Sequence, residues 1–238
     1  MTMPARSQRP VAVVTGASRG IGFEVGRQLA RLGYVVVLGS RDLRRAELAA
    51  KELDPEGERV IPAHLEVDNS VNVDQFARWL RERLGRVDAI VNNASTAPDL
   101  WAVGATTDLS PVAEALDVNL FGAWRLIQAL LPLLRSSPRP RIVNVSSENG
   151  SIARMSGGRP AFSVSKAALN ALTRTLAAEL YRDGILVNSV CPGPVSTDGA
   201  RGSGRSAAQG AASVVWAVTL PNGGPTGTFT RDGRELPW

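Results

Sequence analysis

The sequence predicts an α/β fold in which helices cover both faces of a doubly wound parallel sheet. Short apolar runs alternate with amphipathic helical stretches along nearly all of the 238 residues. The runs are continuously apolar, which is typical of strands that are buried on both faces of a parallel sheet. The first run leads directly into a glycine-rich turn. With right-handed crossovers, these elements give a single-domain, Rossmann-type architecture of three layers, α/β/α.

The first half of the chain contains four predicted strands and three predicted helices. Runs rich in valine and isoleucine predict strands at Val11–Thr15, Tyr34–Leu38, Arg59–Val67 and Val87–Val91. Between them, apolar residues recur at helical spacing, which predicts helices at Phe23–Leu32, Asp42–Leu53 and Val71–Leu84.

The second half continues the alternation up to about residue 190. Its pattern predicts a long helix at Ser110–Leu134, a strand at Arg141–Val145, a helix at Ala161–Tyr181 and a strand at Ile185–Val190. The final segment is richer in Gly, Ser and Pro, and it predicts a short helix near Ser206–Val218 and an edge strand near Gly227–Thr230. Because there is no internal repeat and no linker, we expect one domain over residues 1–238, with a flexible N-terminus at about residues 1–9.

The composition excludes several classes of function. The formal net charge is +5, but the arginines are spread over helical patterns and between acids, which is typical of solvated helix faces rather than of a nucleic-acid surface. No apolar run reaches the roughly 20 residues that span a bilayer, and the N-terminus lacks an apolar signal core. We therefore expect a cytoplasmic protein with no nucleic-acid or membrane partner. One cysteine and one histidine leave no metal site to expect.

A glycine-rich turn follows the first predicted strand. Glycines allow the backbone to approach a pyrophosphate closely, and the N-terminus of the following helix attracts its negative charge. The turn lies between the first strand and the first helix, where this mechanism requires it. It therefore predicts a dinucleotide site with contacts from Gly16, Ser18, Arg19, Gly20, Ile21 and Gly22.

The end of the second predicted strand indicates which dinucleotide is preferred. Proteins that select NAD place a carboxylate there, which binds the ribose 2′-hydroxyl. This chain has Gly39-Ser40-Arg41 instead. Arginine binds phosphate through a planar fork of N–H donors, and Arg41 and Arg19 are both placed to clamp a 2′-phosphate. We therefore expect NADP(H), with Ser40 and Arg41 among its contacts.

With these motifs the chain resembles the short-chain dehydrogenase/reductase family over almost its entire length. The TGxxxGxG turn of the family matches Thr15 to Gly22, and its NNAG segment matches Asn92 to Ser95, with serine in place of glycine. The helix asparagine, the active-site serine and the PG motif match Asn119, Ser147 and Pro192-Gly193. The last stretch, from Thr219 to Trp238, resembles the carbonyl-reductase-like branch.

The resemblance implies further contacts with the dinucleotide. Glu66 stands where the family usually has an aspartate near the adenine, and its longer carboxylate can still reach the adenine amino group. The other implied cofactor contacts are Val67, Asn93, Ala94, Lys166, Pro192, Gly193, Val195 and Thr197.

The chain departs from the family at one position of the reaction centre. The YxxxK motif reads Phe162-Ser163-Val164-Ser165-Lys166. In the family's mechanism the tyrosine protonates the substrate oxygen, which the serine also binds. The lysine lowers the pKa of the tyrosine phenol and holds the nicotinamide ribose. The asparagine helps to hold a water chain. Phe162 has no proton to donate, and general acid catalysis is worth roughly 10²–10⁴-fold. The catalytic set implied by the resemblance is Asn119, Ser147, Phe162 at the tyrosine position, and Lys166.

Three interpretations of Phe162 remain open at this point. The chain is a Tyr-to-Phe form of an NADPH-dependent reductase of a small apolar carbonyl compound, made to hold a ternary complex without turnover. Alternatively, it naturally reduces an imine, an iminium or a conjugated alkene without the phenol, with Glu148 as the nearest candidate acid. In the third interpretation it is a non-catalytic dinucleotide-binding module.

The substrate pocket is expected beyond the carboxyl ends of the strands. By resemblance its lining comprises Ser95, Trp101, Ser147, Asn149, Met155 and Phe162, under a mobile lid at about residues 195–206. Many relatives assemble through the two long helices, so we expect a homodimer or a homotetramer.

Overall fold

The strands form one twisted sheet in a computed structural model that describes residues 9–195 and 204–238. Their order in the sheet is β3-β2-β1-β4-β5-β6-β7-β8. All neighbouring pairs from β3 to β7 are parallel. The strands are β1 (Val11–Thr15), β2 (Val35–Ser40), β3 (Val60–His64), β4 (Ala89–Asn92), β5 (Arg141–Val145), β6 (Leu186–Val190), β7 (Phe229–Arg231) and β8 (Arg234–Glu235).

Helices cover both faces of this sheet, which confirms the predicted three-layer α/β fold. The helices are α1 (Gly20–Arg31), α2 (Leu43–Leu53), α3 (Ser70–Leu84), α4 (Ser110–Leu116), α5 (Ala123–Arg135), α6 (Pro160–Glu179) and α7 (Ala207–Val218). Successive side chains of a strand point to opposite faces. Val13 of β1 therefore packs in the core under α3, α5 and α6, whereas Val14 packs in the core under α1, α2 and α7.

The site is positioned by the reversal of strand order at β1. This strand lies between β2 and β4, so the chain leaves the two central strands β1 and β4 in opposite directions. A crevice opens at such a switch point beyond the carboxyl ends of the strands. The loops after Thr15, Asn92, Val145 and Val190 all lie at this edge of the sheet.

A chain of buried polar side chains connects three strands with α6. The amide of Asn92 on β4 donates to Asn144 on β5 over 2.8 Å, and the Asn144 amide donates to the Thr173 hydroxyl of α6 over 2.9 Å. That hydroxyl also lies 2.7 Å from the Ser189 hydroxyl of β6. Hydrogen bonds offset the cost of burying polar groups, and here they bind the strands to the helix, although the side-chain oxygen of Asn92 has no partner among the described residues.

The predicted edge strand near Gly227–Thr230 is wrong in one respect, because the strand is not at the edge. β7 occupies this region, and β8 pairs with its outer side in an antiparallel hairpin. The hairpin turns at Asp232 and Gly233, whose φ angles are 52° and 73°. Two residues with positive φ form the turn that an Asp-Gly pair favours, so the sequence did contain a signal for this hairpin.

The predicted helix Ser110–Leu134 is not one continuous α-helix. A stretch of wider, π-type turns at Asp117–Gly122 separates α4 from α5. Such turns are often found at functional sites, and this one contains Asn119. Gly122, at the end of this stretch, packs against the loop that follows β3. A Cβ atom at Gly122 would lie only 2.7 Å from the Val67 side chain. Apolar spacing does not distinguish the two kinds of turn.

Candidate functional site

The glycine turn after β1 lies in close contact with the loop after β4. Gly16 and Gly20 both have φ near +61°, a conformation that favours glycine. A Cβ atom on Gly22 would lie 2.5 Å from the Asn93 amide nitrogen and 2.6 Å from the Gly16 carbonyl oxygen. Packing therefore requires glycine at Gly22, whereas backbone conformation favours it at Gly16 and Gly20.

Thr15 and Asn93 hold the two loops together. The Thr15 hydroxyl accepts the amides of Asn93 and Ala94 at 3.0 and 2.9 Å. In return, the Asn93 side chain donates to the Thr15 and Gly16 carbonyls at 2.9 and 3.1 Å. The predicted cofactor residues Asn93 and Ala94 thus lie directly beside the glycine turn, where the Asn93 side chain fixes the shape of the turn itself.

The N-terminus of α1 is open towards an anion. Its N-cap residue makes no side-chain capping hydrogen bond, and its first turn contains no acidic residue. The unpaired first N–H groups of a helix, together with its dipole, attract negative charge. Ser18 and Ile21 are half-buried at this terminus, and Arg19 occupies the N-cap position and is exposed. A pyrophosphate therefore fits this place.

The end of β2 offers a cation rather than a carboxylate. Arg41 is exposed, and it has no hydrogen bond or ion pair with another residue of the ranges 9–195 and 204–238. Ser40 is buried, and its hydroxyl accepts the Asp42 amide at 3.2 Å. The nearest carboxylate in the chain, Asp42, caps α2 through the Arg45 amide and pairs with the Arg45 side chain. The arrangement suits a phosphate near Arg41.

The segment after β3 is held by polar side chains. The carboxylate of Glu66 contacts His64 at 3.2 Å and accepts the Asn69 amide at 3.3 Å. His64 also contacts Asn72 through its second ring nitrogen, so both ring nitrogens are occupied. The Val67 carbonyl accepts Arg125 from α5 at 2.6 Å. Glu66 and Val67 therefore have a fixed backbone at the sheet edge where the adenine is expected.

The PG motif follows β6 at the same edge. Pro192 is buried, and Gly193 has φ of 80°. Val195 pairs with Arg205 as an isolated bridge, so the two described ends of the intervening segment meet. Thr197 and most of the predicted lid lie outside the described residues, as do residues 1–8. Cys191 is buried, and burial raises the pKa of its thiol.

The residues of the predicted catalytic set come together where β5 ends against α6. Ser147 follows β5 and is half-buried, and its hydroxyl accepts the Asn149 amide at 3.2 Å. The turn after Ser147 packs tightly on α6, since a Cβ atom on Gly150 would lie 2.8 Å from Lys166 backbone. Phe162 lies in the first turn of α6, and the centre of its ring is 5.7 Å from the Lys166 ammonium nitrogen.

Lys166 is enclosed by the protein. Only 3% of the residue is exposed, and its ammonium group donates to the Val145 carbonyl at 2.9 Å. Burial disfavours the charged form and lowers the Lys166 pKa to about 8. A lysine whose pKa is lowered by burial therefore lies one helical turn from Phe162.

The side chain of Asn119 has its hydrogen bonds within the protein. It accepts the Thr96 amide at 2.8 Å and donates to the Thr96 carbonyl and to the Ser165 hydroxyl, each at 2.9 Å. Ser165 in turn donates to the Phe162 carbonyl at 2.8 Å. These bonds fasten the loop after β4 to the first turns of α6, so the side chain of Asn119 positions other residues.

Glu148 is engaged in ion pairs. Its carboxylate pairs with Arg154 at 2.7 Å and with Arg231 of β7. Two arginines occupy this carboxylate, so the geometry argues against Glu148 as a general acid. The pairing with Arg231 was not foreseen, because nothing in the sequence indicates that the last strands reach this loop.

The proposed substrate residues border the crevice on two loops. Trp101 is 87% exposed and has φ of 70°, while Met155 and Ser95 are also exposed and Asn149 is half-buried. Ala102 pairs with Gly158, which joins the two loops beside the start of α6. Asp99, a carboxylate of this loop that is only 5% exposed, is not among the residues predicted from the sequence.

The described part of the chain offers no group of His, Cys, Asp and Glu residues that would hold a metal ion. Among the helices of that same part, none is long and apolar enough to cross a membrane.

Comparisons with known proteins give consistent matches. The model of the short chain dehydrogenase family matches residues 10–207. The chain is 33% identical to short-chain dehydrogenase/reductase 1 of Saponaria officinalis, with 98% of this chain and 97% of that protein covered. It is 32% identical to carbonyl reductase (NADPH) 1 of Mus musculus, over 98% and 99% of the two chains. The NADPH-bound carbonyl reductase from chicken fatty liver superposes with a TM-score of 0.85 at 25% identity, over 97% and 100% of the chains.

The contact at Gly22 leads to a prediction on stability. Gly22→Ala forces the glycine turn away from Asn93, so we expect a loss of about 1–3 kcal/mol in the free energy of unfolding, as for other overpacked sites. Urea denaturation measures the loss. Gly157→Ala is the control, because a Cβ atom there meets nothing within 4 Å. Equal stability of the two variants would contradict the contact.

The burial of Lys166 leads to a prediction on pH dependence. Its pKa falls from 10.5 in the unfolded chain to about 8 in the folded one, so the unfolded state binds more protons between these values and stability rises with pH across that window. Lys166→Met removes this contribution. The stability of the original chain relative to Lys166→Met should therefore rise from pH 8 to pH 10.5 in urea denaturation. Lys51→Met, at the exposed second lysine, is the control. If the difference in stability between the original chain and Lys166→Met stays constant from pH 8 to pH 10.5, the prediction is contradicted.

Proposed function

This chain belongs to the short-chain dehydrogenase family, and from that premise we propose that it is an NADPH-dependent reductase that acts on a small apolar carbonyl compound. The observation that carries the proposal is that Ser147, Phe162 and Lys166 lie where β5 ends against α6, at the same edge of the sheet as the glycine turn. The chain is accordingly an oxidoreductase, in a form whose proton donation is impaired at position 162.

We expect the dinucleotide to lie along the carboxyl edge of the sheet. Gly16 and Gly20 would present bare backbone to the dinucleotide, whereas Gly22 lets the turn pack closely against Asn93. The uncapped N-terminus of α1 would hold the pyrophosphate. Glu66 and Val67 would hold the adenine end, and Lys166 and the Pro192-Gly193 turn would hold the nicotinamide end. When bound, the dinucleotide supplies the hydride.

The preference for NADPH rests on the end of β2. Arg41 offers an unpaired guanidinium in the described ranges, and Asp42 is committed to α2. Carbonyl reductase (NADPH) 1 of Mus musculus and the NADPH-bound carbonyl reductase of chicken support the same assignment by their similarity to this chain.

The residues of the reaction centre divide the remaining tasks among themselves. Ser147 would bind the oxygen of the substrate, because its hydroxyl can donate while it accepts the Asn149 amide. Lys166 keeps a positive charge close to that oxygen at neutral pH, since its pKa is about 8. Phe162 supplies the ring surface against which the substrate packs and no proton. The apolar side chains of Trp101 and Met155 would border the substrate.

The other interpretations of Phe162 predict different substrates. Reduction of an imine, an iminium or a conjugated alkene would not need the phenol, whereas a binding module would turn over none of these compounds. The ion pairs of Glu148 weaken its candidacy as the acid in the second interpretation. The cytoplasmic location, the single domain and the homodimeric or homotetrameric assembly stay predictions from the sequence.

Restoring the hydroxyl tests the function. We expect Phe162→Tyr to raise the rate of ketone reduction by roughly 10²–10⁴-fold, the usual contribution of a general acid. NADPH oxidation with ketones, quinones, imines and enones measures it. Tyr181→Phe is the control, since it removes a hydroxyl far along the chain, after α6. If the original chain turns over imines or enones and Phe162→Tyr does not speed ketone reduction, the second interpretation is favoured. If the original chain and Phe162→Tyr both bind NADPH tightly but neither turns over any of these compounds, the third is favoured.

The choice of dinucleotide has its own test. Arg41→Ala removes the proposed partner of the 2′-phosphate, so we expect the NADPH dissociation constant to rise by about tenfold or more, as for loss of a charged hydrogen bond. The NADH dissociation constant should change little. Fluorescence titration measures both, with Arg44→Ala, another exposed arginine of this region, as the control. Equal weakening of NADPH and NADH would contradict the assignment.

A further inference from the structure

Helix α6 has an unusual N-terminus. Its N-cap residue is Arg159, whose side chain makes no capping hydrogen bond, and Pro160 follows at the first position. The first N–H groups of a helix have no partner within the helix, and a side chain of the N-cap residue ordinarily accepts from the second or third. Because this helix carries Phe162 and Lys166, the partner of its first amides determines where the reaction centre lies.

The missing cap comes from a distant part of the sequence. The carboxylate of Asp99 accepts the Ala161 amide at 2.6 Å and the Phe162 amide at 3.3 Å. These are the amides that a local cap would serve, yet Asp99 lies 62 residues before Ala161. With 5% of the residue exposed, the carboxylate is buried against the helix. A negative charge at this terminus is also favoured by the helix dipole.

The loop that carries Asp99 is fastened to α6 at two further points. Upstream, Thr96 is bound by Asn119, which also donates to Ser165 of the helix. Downstream, Ala102 pairs with Gly158, two residues before the helix begins. Between these points Asp99 alone reaches the helix amides of the reaction centre, and Trp101 follows two residues later with 87% of its surface exposed.

We propose that Asp99 is a positioning residue that fastens the substrate-side loop, residues 95–102, to the helix of Phe162 and Lys166. It sets the ring at position 162 and the loop side chains in one fixed relation, so that the substrate meets both as a single surface. The effect on catalysis rests on the proposed function. The fastening itself does not, because it concerns hydrogen bonds within the chain.

Amide hydrogen exchange of the ligand-free chain tests the fastening without an activity assay. We expect Asp99→Ala to speed exchange at Ala161 and Phe162, and in residues 99–103, by about tenfold or more. Asp88→Asn is the matched control. Asp88 is 4% exposed and accepts the Val11 amide and the Ser137 hydroxyl, at the opposite edge of the sheet. Exchange at Ala161 and Phe162 that is unchanged in Asp99→Ala, or equally faster in Asp88→Asn, would overturn the proposal.

Kinetics in the Phe162→Tyr background separate positioning from simple loss of stability. Asp99→Ala should raise the KM for a ketone by about tenfold, whereas the NADPH dissociation constant should change by less than about twofold, because Thr15 and Asn93 hold the glycine turn independently. Asp99→Asn keeps one acceptor oxygen and should recover part of the effect. Equal changes in KM and in NADPH binding, or no recovery with asparagine, would contradict the role. If Phe162→Tyr reduces no carbonyl compound, the proposed function fails and the exchange experiment still decides the role of Asp99.

Discussion

The junction between β1 and β4 is the constraint on which the rest of the site depends. A crevice forms there because the chain leaves the two strands in opposite directions, and the Thr15 hydroxyl and the Asn93 amide close the base of that crevice with four hydrogen bonds to neighbouring backbone. The same contacts leave no room for a side chain at Gly22. Bare backbone in the turn is thus a consequence of packing within the protein as well as a means of approaching a pyrophosphate.

The proposed reaction centre has a buried lysine but no phenol that could donate a proton. Lys166 is buried, bound to one carbonyl and depressed in pKa to about 8, which is the environment in which a lysine can tune a neighbouring acid. At position 162 that neighbour is a phenyl ring. The fold therefore buries the ammonium group of Lys166 beside a ring that has no proton to donate, and Lys166 keeps its contacts with that ring and with the Val145 carbonyl.

Sequence patterns predicted the strands and helices around the site because burial on both sheet faces gives each strand a continuous apolar run. They also placed the glycine turn between the first strand and the first helix, and the resemblance to the family supplied the assignments of Ser147 and Lys166. Contacts between distant segments had no such signal. Asp99 caps a helix 62 residues away, and Arg231 reaches Glu148 from the last hairpin. The wider turn around Asn119 was missed because apolar spacing barely changes when one turn gains a residue.

The polar chain from Asn92 through Asn144 and Thr173 to Ser189 has a consequence for motion. Apolar side chains alone would let α6 slide over the sheet in small steps, because dispersion contacts vary smoothly with position. A buried amide or hydroxyl displaced from its partner loses its hydrogen bond and finds no water to replace it. These directional contacts therefore hold helix α6 in register with the strands. They also fix the position of Lys166 relative to the end of β5.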